Sequence, residues 1–177
     1  MPQEAPNILF IMTDQQSYHA LSCMGNDVLQ TPNFDRLAEE GFAFDNAYTP
    51  SPVCGPARGA IFSGRFPPGC GVVGNWWPFR GDVTLMPERL QEVGYRTAAV
   101  GKLHFVPHLK RFGFQYRLLH DATYNSYSRS ADYSDYVKWL QETKYKDDPE
   151  KPIRLAEEDE MARKPDKYRF LMGSNWR

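Results

Sequence analysis

The sequence predicts an α/β protein built on a mixed, mainly parallel sheet flanked by helices. Helical and extended patterns alternate from Asn7 to Val100, the signature of a layered α/β architecture. The run Asn7-Ile8-Leu9-Phe10-Ile11-Met12-Thr13-Asp14 is continuously apolar before it turns polar, which reads as a strand buried on both faces. The chain has 177 residues, of which 41% are hydrophobic and 14% aromatic. That supplies one domain with a real core and argues against disorder of the whole.

The elements follow in order. After the first strand, Thr31 to Gly41 reads as a helix. Thr31 or Asn33 caps it, Phe34, Leu37 and Ala38 form its apolar stripe, and Gly41 ends it. Phe42 to Tyr48 alternates apolar and polar residues as a strand does. Thr49-Pro50-Ser51-Pro52 forces an extended loop, because a residue before proline is driven from the helical region. Beyond Pro56 the chain turns helical from Ala57 to Phe62 and stops at Gly64; Pro67 to Asn75 is Gly/Pro-rich connection. Met86 to Gly94 has Pro87 in the first turn and Gly94 just past the last. Tyr95 to Val100 is then a strand, and Gly101 opens the loop that follows it.

The motif-bearing core thus spans about 7–114. Within 121–177 the composition changes: Tyr and Ser dominate Tyr124 to Tyr136, and Tyr136 to Lys144 fits an amphipathic helix. Lys144 to Lys167 mixes both charge signs with few large apolar residues, as a solvated surface does. The cluster Trp76, Trp77, Tyr124, Tyr127, Tyr133 and Tyr136 reads mainly as packing, with a minority left to line a substrate pocket.

Charge excludes several functions. Lys+Arg 21 against Asp+Glu 22 leaves a formal net charge of −1, with no electrostatic footprint for nucleic acid and no polybasic membrane anchor. The apolar stretch Ile8–Met12 is too short to cross a bilayer, and Met1 to Asn7 lacks the basic start of a secretory signal. The expectation is a cytoplasmic protein with no nucleic-acid or membrane partner. Three cysteines cannot all pair internally, and Cys23, Cys54 and Cys70 show no C-x-x-C spacing. His19 and Cys23 lie four apart without a second pair, so no zinc site is indicated.

The residues that carry chemistry begin at Cys54-Gly55-Pro56-Ala57-Arg58, continued by Gly59-Ala60-Ile61-Phe62-Ser63-Gly64-Arg65. A cysteine ahead of a helix has a thiolate favoured by the helix dipole and by a nearby Arg. The Cys–Arg spacing is nevertheless shorter than in the tyrosine-phosphatase loop, and the surroundings of a papain-like nucleophile are missing. Taken alone, Cys54 also reads as a small buried hydrophobe.

The Cys-x-Pro-x-Arg segment and its Ile-Phe-Ser-Gly-Arg continuation resemble the signature of the type I, formylglycine-dependent sulfatases, which share the alkaline-phosphatase-like fold. Two further segments match in family order: Asn7 to Gln16, similar to the first metal-bearing strand, and Gly94 to His104, similar to the Gly-Lys-x-His segment. The resemblance covers about Asn7 to Phe114 and extends weakly to Tyr136–Leu140.

The resemblance implies a sulfuric ester hydrolase. A formylglycine-forming maturation enzyme would convert Cys54 to formylglycine, whose hydrated aldehyde is the nucleophile. One geminal oxygen attacks sulfur and the alcohol leaves; the other hydroxyl then loses its proton, expels sulfate and restores the aldehyde. Arg58 would hold the hydrated aldehyde near a divalent metal, most simply Ca²⁺, with Mg²⁺ or Mn²⁺ as alternatives. Asp14 would be a metal ligand together with the modified Cys54, since hard cations want oxygen ligands on a rigid frame. Gln15 stands where many sulfatases carry a second Asp; its oxygen can coordinate but brings no charge. Lys102 would neutralise sulfate oxygens and His104 would contact the nucleophile or substrate, while Asn75 follows Cys54 at a spacing where phosphonate-hydrolase relatives place a polar active-site Asn and would bind substrate. Fixed cations suit a sulfuryl group whose charge spreads over its oxygens.

Two rival readings stand beside this one: a phosphonate monoester or phosphodiester hydrolase of the same superfamily, and a truncated, inactive homologue that binds. Retention of Lys102 and His104 favours sulfate. Sulfatases supply further metal ligands from a later Asp followed by His or Asn, and no pair that would serve occurs here; His120-Asp121 has the reverse order. The expectation is therefore the N-terminal part of a sulfatase catalytic domain over 1–177, with an incomplete metal site, an unfinished sheet, and a complementary C-terminal chain as partner. The substrate expected is a small-molecule sulfate ester; aryl, sugar and choline sulfates remain open.

Overall fold

The computed structural model describes residues 5–121 and 134–151. Tyr124, Tyr127 and Tyr133 lie outside them, as does most of the charged segment after Lys151. The chain divides into two compact units, Met1–Thr49 and Pro50–Arg177.

In the first unit the expected strand at Asn7–Asp14 is not formed. Its residues run irregularly, with Leu9 84% exposed and Ile11 68% exposed. A strand apolar on both faces needs a hydrogen-bonded neighbour and a layer above and below. Among the described residues, this unit contains no strand and no buried residue to provide either. The same reason undoes the strand expected at Phe42–Tyr48, where Phe42 is 94% exposed and the chain turns at Asp45-Asn46. The expected helix does form as α1, Pro32–Glu40, with Thr31 at its N-cap position and Gly41 at its C-cap. Polar contacts organise its entry: the Ser22 hydroxyl reaches both Asp35 carboxylate oxygens at 2.8 Å and accepts from the Thr31 N–H at 2.9 Å.

The second unit holds the buried residues. Helix α2, Cys54–Ser63, starts earlier than the sequence suggests, with Pro56 in the first turn where a missing N–H costs nothing. It ends at Gly64, which is left-handed at φ 65 and donates its N–H to the Ala60 carbonyl. A single-turn helix, α3, Pro67–Cys70, interrupts what reads in the sequence as plain connection. Helix α2 packs on α3 and on α4, Met86–Glu92. Gly59 permits a close approach, since a Cβ there would stand 2.9 Å from Val72 Cβ. The Glu88 carboxylate accepts the Leu85 N–H at 2.7 Å and satisfies a donor left over at the start of α4.

Two strands follow. β1, Ala98–Gly101, pairs in parallel with β2, Tyr116–Leu119, in the register Ala98↔Tyr116 to Gly101↔Leu119. β1 is shorter than the Tyr95–Val100 strand expected from the sequence. β2 falls where no strand is expected. Parallel strands need a long crossover, here residues 102–115, which packs as an aromatic layer without a helix. Phe62 of α2 meets Phe105 and Phe114 edge-on, at ring-centroid distances of 5.3 and 5.9 Å. Phe79 and Phe112 extend the cluster around Phe105. Helix α5, Asp135–Glu142, is the amphipathic helix expected near Tyr136; its Asp135 carboxylate accepts the Leu119 N–H at 2.7 Å. Cys23, Cys54 and Cys70 are all free thiols. Among the described residues no helix is long and apolar enough to cross a membrane.

Phe62 is 5% exposed and joins α2 to the crossover. Phe62→Ala is expected to destabilise the protein by about 3–5 kcal/mol in chemical denaturation. A loss below about 1 kcal/mol would contradict this packing.

Candidate active site

Five of the seven residues singled out from the sequence fall in the second unit: Cys54, Arg58, Asn75, Lys102 and His104. Cys54 is the first residue of α2, where the helix N–H groups point outward and favour negative charge. The Asn75 carboxamide oxygen accepts the Gly55 N–H at 2.9 Å and lies 3.5 Å from Cys54 Sγ. A Cβ at position 55 would come within 2.8 Å of that same oxygen, so any larger residue there must displace the Asn75 side chain. Asn75 thus serves as a cap from outside the helix and as a polar wall for the thiol.

The opposite wall comes from the loop after β1. His104 Nδ1 stands 3.2 Å from Cys54 Sγ. Arg58, one turn into α2 and 5% exposed, donates from its guanidinium to the Lys102 carbonyl. This bond ties the helix to the Lys102–His104 loop and brings two cationic side chains to one neighbourhood.

Sequence reasoning missed the residues that hold His104. Because β1 and β2 are parallel, their carboxyl ends lie side by side. The ladder continues as the His120 N–H donates to the Gly101 carbonyl at 3.0 Å. Asp121 therefore arrives beside the loop that leaves β1. One of its oxygens accepts the Leu103 N–H at 2.8 Å and the His104 N–H at 3.0 Å. Its other oxygen is 3.4 Å from His108 Nδ1. Trp76 closes the circuit, with its ring centroid 4.8 Å from that of His104 and 5.7 Å from that of His108. His104 and Trp76 both adopt positive φ, at 60 and 70, a backbone state that needs such outside support. Asp121 could have been noticed only by first predicting β2.

Burial lowers the His104 pKa from its ordinary value, and Lys102, Arg58 and His108 lower it further; Asp121 acts the other way. The ring is thus biased toward the neutral imidazole. Its Nε2 is buried and has no hydrogen-bond partner among the described residues, so this nitrogen is a polar group without compensation. For Asp121, burial opposes ionisation, yet the His108 ring and the two backbone N–H groups outweigh it and hold the carboxyl below its usual range.

Asp14 and Gln15 belong to the first unit, where Gln15 has φ 58. Among the described residues no group of three or more His, Cys, Asp or Glu side chains gathers as metal ligands would.

Asn75→Ala removes the acceptor at the start of α2. It is expected to lower stability by about 1 kcal/mol in a denaturation experiment. No change would mean that the Gly55 N–H is satisfied elsewhere.

Comparison with known proteins gives the wider context. The family model described as Sulfatase matches residues 6–163. An N-acetylglucosamine-6-O-sulfatase from Bacteroides thetaiotaomicron is 45% identical over 101 residues, which are 57% of this chain and 18% of that protein. An arylsulfatase from Clostridium perfringens is 34% identical over 152 residues, covering 78% of this chain and 31% of the relative. A solved structure described as a complex with its substrate D-glucosamine-2-N,6-O-disulfate superposes with TM-score 0.60 at 41% identity. That match covers 64% of this chain and 23% of the other. The chain therefore spans between about a fifth and a third of the relatives it matches. The family model spans most of the chain, and the structural neighbour resembles it in fold and, at 41% identity over the matched part, in sequence. This chain belongs to the sulfatase family.

Proposed function

We propose that the protein hydrolyses a sulfate monoester, with Cys54 converted to formylglycine as the nucleophile. One observation carries the reading: Cys54 stands at the N-terminus of α2 with Asn75 Oδ1 at 3.5 Å and His104 Nδ1 at 3.2 Å. The position of Sγ stands in for an oxygen on the same carbon after conversion. Formylglycine would supply a nucleophilic oxygen that is regenerated at each turnover.

The residues of this chain would divide the remaining work. His104 Nδ1 faces the nucleophile position and, as a neutral imidazole, would accept a proton from an oxygen there. Asn75 orients that oxygen by its own placement on the helix start. Lys102 and Arg58 would offset the charge that spreads over the sulfate oxygens as the S–O bond to the alcohol breaks. The low-dielectric surroundings strengthen both effects. Asp14, Gln15 and the modified Cys54 would contribute ligands to a divalent cation, Ca²⁺ in the first instance.

The relatives' names support a small sulfated organic substrate. The disulfated glucosamine of the structural neighbour makes a sulfated amino sugar the first compound to try. The maturation enzyme follows from the Cys54-x-Pro56-x-Arg58 segment, which it would read before folding.

The test is sulfate release from glucosamine 6-sulfate and an aryl sulfate by protein from its native host, or co-expressed with a formylglycine-forming enzyme. Cys54→Ala should lower release by more than about a thousandfold. Release that persists at the parent rate in Cys54→Ala would contradict the assignment. Phosphodiester turnover without sulfate release would favour the phosphonate and phosphodiester hydrolases instead.

A further inference from the structure

We infer that Asp121 is a positioning residue for His104, acting through the backbone of the Leu103–His104 turn, with His108 and Trp76 as its supports. The catalytic consequence rests on the hydrolysis proposed above, whereas the positioning itself rests on geometry alone.

The argument begins with strand order. Parallel pairing of Gly101 with Leu119 sends the chain out of both strands at the same end. Asp121 is thereby delivered to the loop that carries His104, although 17 residues separate them in sequence. One carboxylate oxygen gathers two successive N–H groups, at 2.8 and 3.0 Å. Two adjacent N–H groups converge on one acceptor only when the backbone between them is sharply turned. That turn is made at Leu103, and the residue it leads into, His104, has positive φ. A non-glycine residue in this region is held there by its surroundings. Asp121 anchors the two peptide groups that lead into it.

The direction of the His104 ring follows from its backbone. With Leu103 and His104 N–H fixed, Nδ1 is aimed at Cys54 Sγ and the ring edge rests on Trp76. Asp121 is itself fixed by His108 on its second oxygen, and His108 in turn lies against Trp76. His104, Asp121, His108 and Trp76 form a closed circuit around one catalytic ring. A misplacement of about 1 Å at such a ring is enough to cost on the order of a hundredfold in rate.

Unconverted protein offers a test that needs no turnover. In the full chain made without a maturation enzyme, the rate of Cys54 alkylation by iodoacetamide is followed by peptide mass spectrometry. The Cys70 peptide, from a fully buried thiol, reports that the fold is intact. His104→Ala should change the Cys54 rate constant, and Asp121→Ala should change it in the same direction by about tenfold. Asp121→Asn keeps an oxygen for the two N–H groups and should restore the parent rate. If Asp121→Ala exposes Cys70, His108→Phe carries the test and should shift the Cys54 rate the same way. A parent rate in Asp121→Ala with Cys70 still protected would overturn the inference, as would a parent rate in His104→Ala or, where it carries the test, in His108→Phe. In converted enzyme, Asp121→Ala should lower kcat with KM little changed. Failure of the parent to release sulfate would count against the hydrolysis reading and leave the alkylation result to decide the positioning.

Discussion

The parallel ladder between β1 and β2 determines where the chemistry falls. Antiparallel strands joined by a tight turn would send the ends of successive strands in opposite directions. Parallel pairing instead brings the loop after β1 and the loop after β2 to the same edge, where open α/β sheets place their ligands. The crossover of residues 102–115 must then cover that sheet without a helix. It does so with Phe105, Phe112 and Phe114 against Phe62. That layer fixes α2 against the strands, and its N-terminal residue, Cys54, meets His104 as a result.

The site combines strong positive charge with a nearly neutral ring. Arg58 is buried and tied to the Lys102 carbonyl, which joins the start of α2 to the loop that carries His104. Burial and these cations push His104 toward its neutral form, with Asp121 as the opposing influence. A neutral imidazole beside a nucleophile can take up a proton, whereas an imidazolium cannot. The helix dipole adds to the positive potential at Cys54.

The chemistry was legible in the sequence where it is local. Cys54-x-Pro56-x-Arg58 lies within one helical turn and a half, and Lys102 and His104 lie in one loop; each is a local segment, and its resemblance to a sulfatase segment is what singles it out. Helix ends were legible for the same reason, through Gly41, Gly64 and Gly94. Strands were not. Asn7–Asp14 has the composition of a buried strand, but burial depends on layers that the run itself does not encode. β2 passed unnoticed because Tyr116-Arg117-Leu118-Leu119 is short and weakly patterned. Asp121 was hidden with it: its function arises from a register, and a register is a property of two segments.

The central claim concerns one atom, the sulfur of Cys54, and its replacement by oxygen. The most direct measurement is the mass of the peptide spanning Cys54, taken from protein of the native host or co-expressed with a formylglycine-forming enzyme. The account predicts a peptide lighter by the exchange of H₂S for O and unreactive toward thiol reagents. An unmodified thiol, in a host where a known sulfatase is converted, would contradict it.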